Sequence, residues 1–571
     1  MTLEMTSNPA KAAWSDLPNN TNKSWWKDPG MRKANLIILC YMIAQATGGY
    51  DKSLINNLQS MPNWVTTLDN PSSGTLGIIT ASLSIGLGVA APFFGWLSDW
   101  RGRKICMSTG CAIMLVGAII QSAAKDRGMF VGSVQPENTR NSMADRNRIS
   151  GRVLLGIGNA GTLCAGPLLA TELAHPRQRG VITSLYNTFW YVGSIICAWL
   201  SFGTSYIDNS DWAWRIPCIG QALPSAVLLV ICYWLPESPR YMIQKGRQDE
   251  AQQLLASFHA NGDTQDPLVL FEMREIEDAI TLANSVPKRG LIKDWYELVA
   301  TKANRRRMFI ISALVIGIDW CGTSVTSYYV SWATVVCFAV NAKPPRQLSK
   351  ILTSVGISSS TQQTGINGGL QIFNWITAMI GALLADRVGR RSLWLASFGL
   401  MLVCNVPFAA CSAVYAEHAN QAAGRAVVVL VYLYSGAYNI GCNPLPYTYT
   451  VELLPYQIRA RGLSFEVAFD CLQLKLLAYT LTISVHGILG QYTNPIAMAA
   501  IGWKLYFFYT GMLVLIIAVV YFTFPETKGY TLEEVALIFD DAPDDLHTAT
   551  AQIVLAGNPH ATPSDESKET V

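Results

Sequence analysis

Twelve predominantly apolar runs, each near the ~20 residues that an α-helix needs to cross hydrocarbon, constrain this chain more than any other feature. A chain in lipid must satisfy its own backbone hydrogen bonds, and a helix does so internally. The first six runs lie near 34–56, 75–97, 105–124, 151–173, 181–202 and 213–235. The second six lie near 307–330, 365–385, 393–414, 425–449, 463–489 and 503–524. This spacing predicts a polar N-terminal tail (1–33), a six-helix half (34–235), a linker (236–306), a second six-helix half (307–524) and a C-terminal tail (525–571). The linker is charged and amphipathic around Arg247 to Phe258 and Leu268 to Leu282, so short surface helices are expected there rather than spans.

Composition agrees: half of the residues are hydrophobic and 14% are charged, well away from an ordinary soluble domain. A net charge of +3 calls for no nucleic-acid partner. The 13 cysteines, such as Cys40, Cys111, Cys197 and Cys404, are scattered through apolar runs without a paired motif and read as small hydrophobes. The first 33 residues hold no apolar core of a signal peptide, so the first span is expected to act as the targeting signal. No phosphate-binding glycine loop, metal-ligand spacing or nucleophile motif occurs, so ATP, a metal, another cofactor and enzymatic chemistry are not expected.

The two halves also repeat each other. Asp99-Trp100-Arg101-Gly102-Arg103-Lys104 returns as Asp386-Arg387-Val388-Gly389-Arg390-Arg391, each a tight basic hairpin between two apolar rods. Glu172 returns as Glu452, and Pro236-Glu237-Ser238-Pro239-Arg240 returns as Pro525-Glu526-Thr527-Lys528-Gly529. Parallel internal repeats of this kind suit a carrier that exposes one central site to each side in turn. Arg101, Arg103, Lys104, Arg177, Arg179, Arg387, Arg390, Arg391, Arg459 and Arg461 fall in loops on one face, with both termini and the linker. The positive-inside rule makes that face cytoplasmic.

Two loops on the opposite face depart from the rule. Residues 133–150 carry Arg140, Arg146 and Arg148, residues 331–349 carry Lys343 and Arg346, and both interrupt otherwise continuous apolar text. They read as insertions, either lineage-specific outer loops or retained introns. In the eleventh span, Glu466, Asp470 and Lys475 interrupt an otherwise apolar run.

The repeated Asp-x-x-Gly-Arg-[Lys/Arg] loops and the two Pro-Glu-[Ser/Thr] segments resemble the sugar porter family of the major facilitator superfamily, over roughly residues 34–530. Leu185-Tyr186-Asn187-Thr188-Phe189-Trp190, with Gly441-Cys442-Asn443-Pro444-Leu445-Pro446-Tyr447 and Glu452-Leu453-Leu454-Pro455, is similar to the fungal lactose-permease-type branch. The resemblance implies an all-α membrane protein with the major facilitator fold: twelve transmembrane helices in two six-helix halves joined by a cytoplasmic helical linker. It also implies a multi-pass plasma-membrane carrier whose partners are a sugar, protons and the bilayer. A disaccharide or glucoside such as lactose or cellobiose is the expected cargo, or else a hexose. A facilitative hexose uniporter and a non-transporting sugar sensor are the alternatives.

Asp51 follows Gly48-Gly49-Tyr50 late in span 1, and Arg152 opens span 4. Ionisable groups at membrane depth face a cavity or a partner, and separating an Asp from its Arg lets the acid take a proton. The resemblance assigns this pair to proton coupling; a structural ion pair is the other reading. Sugar sites need amides and aromatic platforms. The family pattern places Asn187, Gln371, Asn374, Tyr447 and Tyr328 at the cargo, with Asp319 where the family has a Gln. Asp319 could accept sugar hydroxyls, take a second proton or simply face an aqueous vestibule, and Gln371 could equally pack between helices. Asp99, Arg103, Glu172, Arg179, Glu237, Arg240, Asp386, Arg390, Glu452 and Arg461 make a candidate cytoplasmic gate, beside their role in topology.

Overall fold

The structure is a computed structural model that describes residues 19–22, 24–59, 61–67, 73–124, 151–207, 210–285, 291–323, 360–418, 421–472, 504–528, 535 and 539. Loops 133–150 and 331–349, Tyr328 and Lys475 lie outside the described residues, as do the side chains of Asp386 and Asp470. The first half comprises α1 (Pro29–Leu58), α2 (Ser73–Arg101), α3 (Arg103–Ser122), α4 (Gly151–Leu173), α5 (Arg179–Thr204) and α6 (Trp212–Cys232). The linker forms α7 (Pro239–Gln244), α8 (Gln248–His259), α9 (Pro267–Ser285) and α10 (Leu291–Ala300). The second half comprises α11 (Lys302–Trp320), α12 (Ser360–Val388), α13 (Arg390–His418), α14 (Gln421–Gly441), α15 (Pro446–Leu453), α16 (Tyr456–Leu472) and α17 (Leu505–Thr523).

Each of the twelve apolar runs therefore holds a helix, and eight of the described helices are long and apolar enough to cross a membrane. Two runs are not single rods. α6 is interrupted at Gln221, because Pro224 has no N–H to give the carbonyl four residues back. The run at 425–449 stops at Gly441 and restarts at Pro446, since Pro444 and Pro446 both lack the N–H that would continue the ladder. Helix starts follow local chemistry. Asp28 accepts the Met31 N–H at 2.9 Å ahead of Pro29 in α1, and Thr301 accepts the Asn304 N–H at 3.0 Å ahead of α11.

Each half buries its own core. Tyr41, Phe94, Leu169 and Tyr186 anchor the first, and Trp394, Phe398, Met401 and Tyr449 the second. Outward faces carry Val89, Leu223, Val403 and Phe522, more than half exposed and suited to lipid.

The basic hairpins at one end of the bundle share one plan. Gly102 and Gly389 sit at φ +99° and +103°, where L side chains are strained, and a Cβ would meet the carboxylates of Glu237 at 2.5 Å and Glu526 at 2.6 Å. Those carboxylates cap the helices that follow. Glu237 accepts the Lys104 N–H at 3.0 Å, and Glu526 accepts the Arg390 and Arg391 N–H groups at 2.8 and 3.1 Å. Beneath them Arg103 lies 3.6 Å from Glu172, and Arg390 2.9 Å from Glu452. The Ser238 hydroxyl donates to Glu172, and the Thr527 hydroxyl donates to Glu452 at 2.6 Å. The duplication written in the sequence is thus a duplication of hydrogen bonds.

The linker docks on both halves. Glu272 of α9 meets His259 at 2.6 Å and Arg179 at 3.7 Å, and the rings of His175 and His259 lie 5.1 Å apart. Asn261, in the turn after α8, donates to the Asn20 carbonyl at 2.7 Å and to Asp28 at 3.0 Å, and accepts the Gly30 N–H at 2.9 Å. On the other side, Glu297 of α10 pairs with Arg461 at 3.1 Å.

Candidate functional site

Between the halves lies a cavity of about 340 Å³, within the range of roughly 300–1,000 Å³ typical of small-molecule sites. Its walls come from α1, α2, α4 and α5 on one side and from α11, α12, α14, α16 and the break between α14 and α15 on the other. The expected residues Arg152, Asn187, Asp319, Gln371, Asn374 and Tyr447 all line it.

Packing explains how polar groups reach this depth. A Cβ on Gly49 would lie 1.9 Å from the Trp190 carbonyl oxygen, and one on Gly193 would lie 1.9 Å from that of Ala46. α1 and α5 therefore touch backbone to backbone, as small residues allow in membranes. That contact brings Gln45 of α1 beside Asn187 of α5: the Gln45 amide donates to the Asn187 side-chain oxygen, and Asn187 donates to the main-chain carbonyl of Asn443 in the other half.

Two further chains of hydrogen bonds join the halves beside the cavity. Tyr191 donates to Asn439 at 2.6 Å, and Asn439 donates to Asn374 at 3.0 Å. Gln371 donates to Asn367 at 3.1 Å, and Asn367 donates to Asn57 of the first half at 2.9 Å. Trp190 also lines the cavity, with its ring edge-on to Tyr191 at 5.1 Å, and the Tyr447 ring meets Tyr186 edge-on at 6.3 Å. Amides and aromatic rings thus face one space, which is the equipment that a polyhydroxylated ring requires.

Asp51 is 1% exposed, and neither of its carboxylate oxygens takes a hydrogen bond from any of the described residues. Arg152, 2% exposed, is near enough to feel its charge, yet among the described residues the two form no ion pair within 4.0 Å. Asp51 stands behind the cavity wall, whereas Arg152 is part of it. Glu466, one of the charges that interrupt the eleventh run, is buried against the cavity as well.

The expected gate residues gather at the basic end. Arg103 reaches Asp99 at 4.0 Å and Glu172 at 3.6 Å; Arg390 reaches Glu452; Arg179 reaches Glu272 of the linker; Arg240 is buried in α7. Arg461 of α16 comes within 3.9 Å of Asp99 of α2, across the two halves.

Sequence reasoning missed Gln45, Asn367, Asn439, Asn443, Trp190 and Tyr191. The signal for some was present: residues 45, 48, 52 and 56 of α1, and Asn367, Gln371 and Asn374 of α12, line the cavity at helical spacing.

A family model described as "Sugar (and other) transporter" matches residues 37–343 and 347–539. A high-affinity glucose transporter of Candida albicans is 24% identical over 516 residues, covering 87% of this chain and 84% of its own. Myo-inositol transporter 1 of Saccharomyces cerevisiae is 27% identical over 527 residues, covering 88% and 79%. Among solved structures, the proton:xylose symporter XylE bound to 6-bromo-6-deoxy-D-glucose shares the fold with a TM-score of 0.66 at 19% identity, over 90% of this chain and 100% of that one.

Proposed function

Because this chain belongs to the sugar (and other) transporter family of the major facilitator superfamily, we propose that it is a plasma-membrane sugar:proton symporter with both termini in the cytoplasm. The observation that carries this reading is one cavity between the halves, lined by amides from both, with the buried pair Asp51 and Arg152 at its edge. Gln371 and Asn374 supply hydrogen-bonding amides, Asn187 bridges the two halves beside them, Asp319 is a further acceptor, and Tyr447 offers a ring face. Asp51 takes the proton, and Arg152 couples its charge to the cavity. A buried carboxylate without donors exchanges a proton whenever water reaches it, and cargo in the cavity changes that access. Glucose and myo-inositol, named in the relatives, are single polyhydroxylated rings; the branch resemblance extends the proposed cargo to lactose and cellobiose.

The test is initial uptake of labelled lactose, cellobiose and glucose in transporter-deficient cells, with and without a protonophore. Protonophore-sensitive accumulation by the chain is expected, and Asp51→Asn should abolish uphill uptake while leaving exchange partly intact. Accumulation preserved in Asp51→Asn would refute the role of Asp51. Equilibrating uptake insensitive to the protonophore would make the protein a uniporter.

A further inference from the structure

Among the described residues, three amide oxygens on the cavity wall have no partner: Gln371 Oε1 and the two on more deeply buried residues, Gln45 Oε1 and Asn443 Oδ1. Gln45 and Asn443 are only 3% and 7% exposed. A buried amide oxygen ordinarily finds a donor, and these two belong to residues that line the same cavity from opposite halves. Their surroundings hold them there. The Gln45 N–H is committed to Asn187, which fixes the plane of the Gln45 amide. Asn443 is held through its own carbonyl by the Asn187 N–H, in the break that Pro444 and Pro446 impose.

Asn187, the amide that the sequence pattern assigns to the cargo, is spent on this bridge: its oxygen accepts from Gln45, and it donates to Asn443. We propose that Gln45 Oε1 and Asn443 Oδ1 form a two-acceptor clamp, one jaw on each half, for two hydroxyl hydrogens of the cargo, and that Asn187 is a positioning residue which holds the jaws. The proposal rests on the transport reading of the same cavity and sharpens it. Acceptors of this kind select a neutral polyol that brings donors, and they reject a ring whose hydroxyls are methylated or replaced by hydrogen. A cargo that satisfies both jaws adds a second link between the halves beside the Asn187 bridge, which ties recognition to the rocking of the halves.

The experiment is initial-rate uptake of labelled glucose, lactose and cellobiose by the full chain in transporter-deficient cells, normalised to surface protein, with a single-deoxyglucose series as competitors. Gln45→Leu and Asn443→Ala should each raise KM about tenfold or more with Vmax little changed, the cost of one lost hydrogen bond to cargo. Asn443→Asp, which keeps an oxygen acceptor, should recover part of that loss. Asn187→Ala should change Vmax at least as much as KM. In the wild type, two deoxy positions should compete poorly, and one of them should lose nothing further in Asn443→Ala, the non-additivity of a shared contact. Unchanged KM in both single variants, with an active wild type, would show that the two oxygens are merely hydrated and would overturn the clamp while leaving transport intact. The deoxy series on the wild type reads the same question without relying on any variant to fold: equal competition by every deoxy sugar refutes the clamp. A wild type that takes up none of the three sugars would remove the transport reading and the clamp together.

Discussion

His175 follows α4 at the basic end, and burial pushes its imidazole down to about 3, reinforced by His259, Arg177 and Arg179 and opposed by Glu272. Glu272 behaves differently. Burial alone would raise its carboxyl, but His259, Arg179 and His175 outweigh that and hold it below its ordinary value. Both shifts act in one direction. A depressed folded-state pKa stabilises the docked linker above the ordinary pKa of each group, and the stabilisation is lost as pH falls toward the folded value. For His175 the window opens near 6.5, the ordinary imidazole value, and extends toward about 3. Hydrogen exchange over residues 248–285, corrected for intrinsic rate, should therefore show local opening about tenfold more frequent at pH 5.5 than at pH 7.5. His175→Gln should flatten that dependence; an unchanged profile in the variant would assign the effect elsewhere. Nothing in the local sequence announces this cluster, because His175, His259 and Glu272 meet only after the linker folds back. The same holds for Asn443, whose carbonyl partner Asn187 lies 256 residues away. Arg152, by contrast, was legible, since a charge inside an apolar run needs a reason wherever the chain folds.

Helices show which parts of the sequence were readable and why. The apolar runs and the two basic hairpins are local patterns with fixed period, so the spans and the paired turns could be placed directly. The breaks at Gln221 and at Pro444 were less visible, because proline inside membrane helices is sometimes absorbed without a stop. The contact between α1 and α5 depends on Gly49 and Gly193, and a single methyl there has no room. Gly193→Ala should lower the melting temperature of the detergent-purified protein and its surface level, because the two backbones must separate. Gly203→Ala, on the same helix with nothing within 4 Å of the new methyl, should be neutral or slightly stabilising, because alanine is the better helix former, and serves as the control. Equal behaviour of the two variants would show that the close approach is not a source of stability.

At the scale of the whole molecule, Arg103 and Arg390 pair within their own halves, with Glu172 and Glu452, whereas Arg461 reaches from one half to Asp99 of the other. The internal pairs stiffen each half as a body, and the Arg461–Asp99 contact opposes their separation. With side chains 16% and 36% exposed, that contact is worth roughly 0–1 kcal/mol. Arg461→Ala should therefore change the transport rate by no more than about fivefold and leave apparent affinity from outside nearly unaltered. The double reversal Asp99→Arg with Arg461→Asp should bring the rate back toward the wild type; failure to do so would mean that Arg461 acts through Glu297 instead.

That last residue divides the linker's loyalties. α8 and α9 are fastened to the first half through Arg179, His175 and the Asn261 turn, whereas α10 is fastened to the second through Arg461. Because α9 also packs against α16, any relative rotation of the halves must then be taken up along α9 and α10, far from the cargo. A small antibody fragment that grips both helices at once would act as a brake on the cycle without ever entering the cavity.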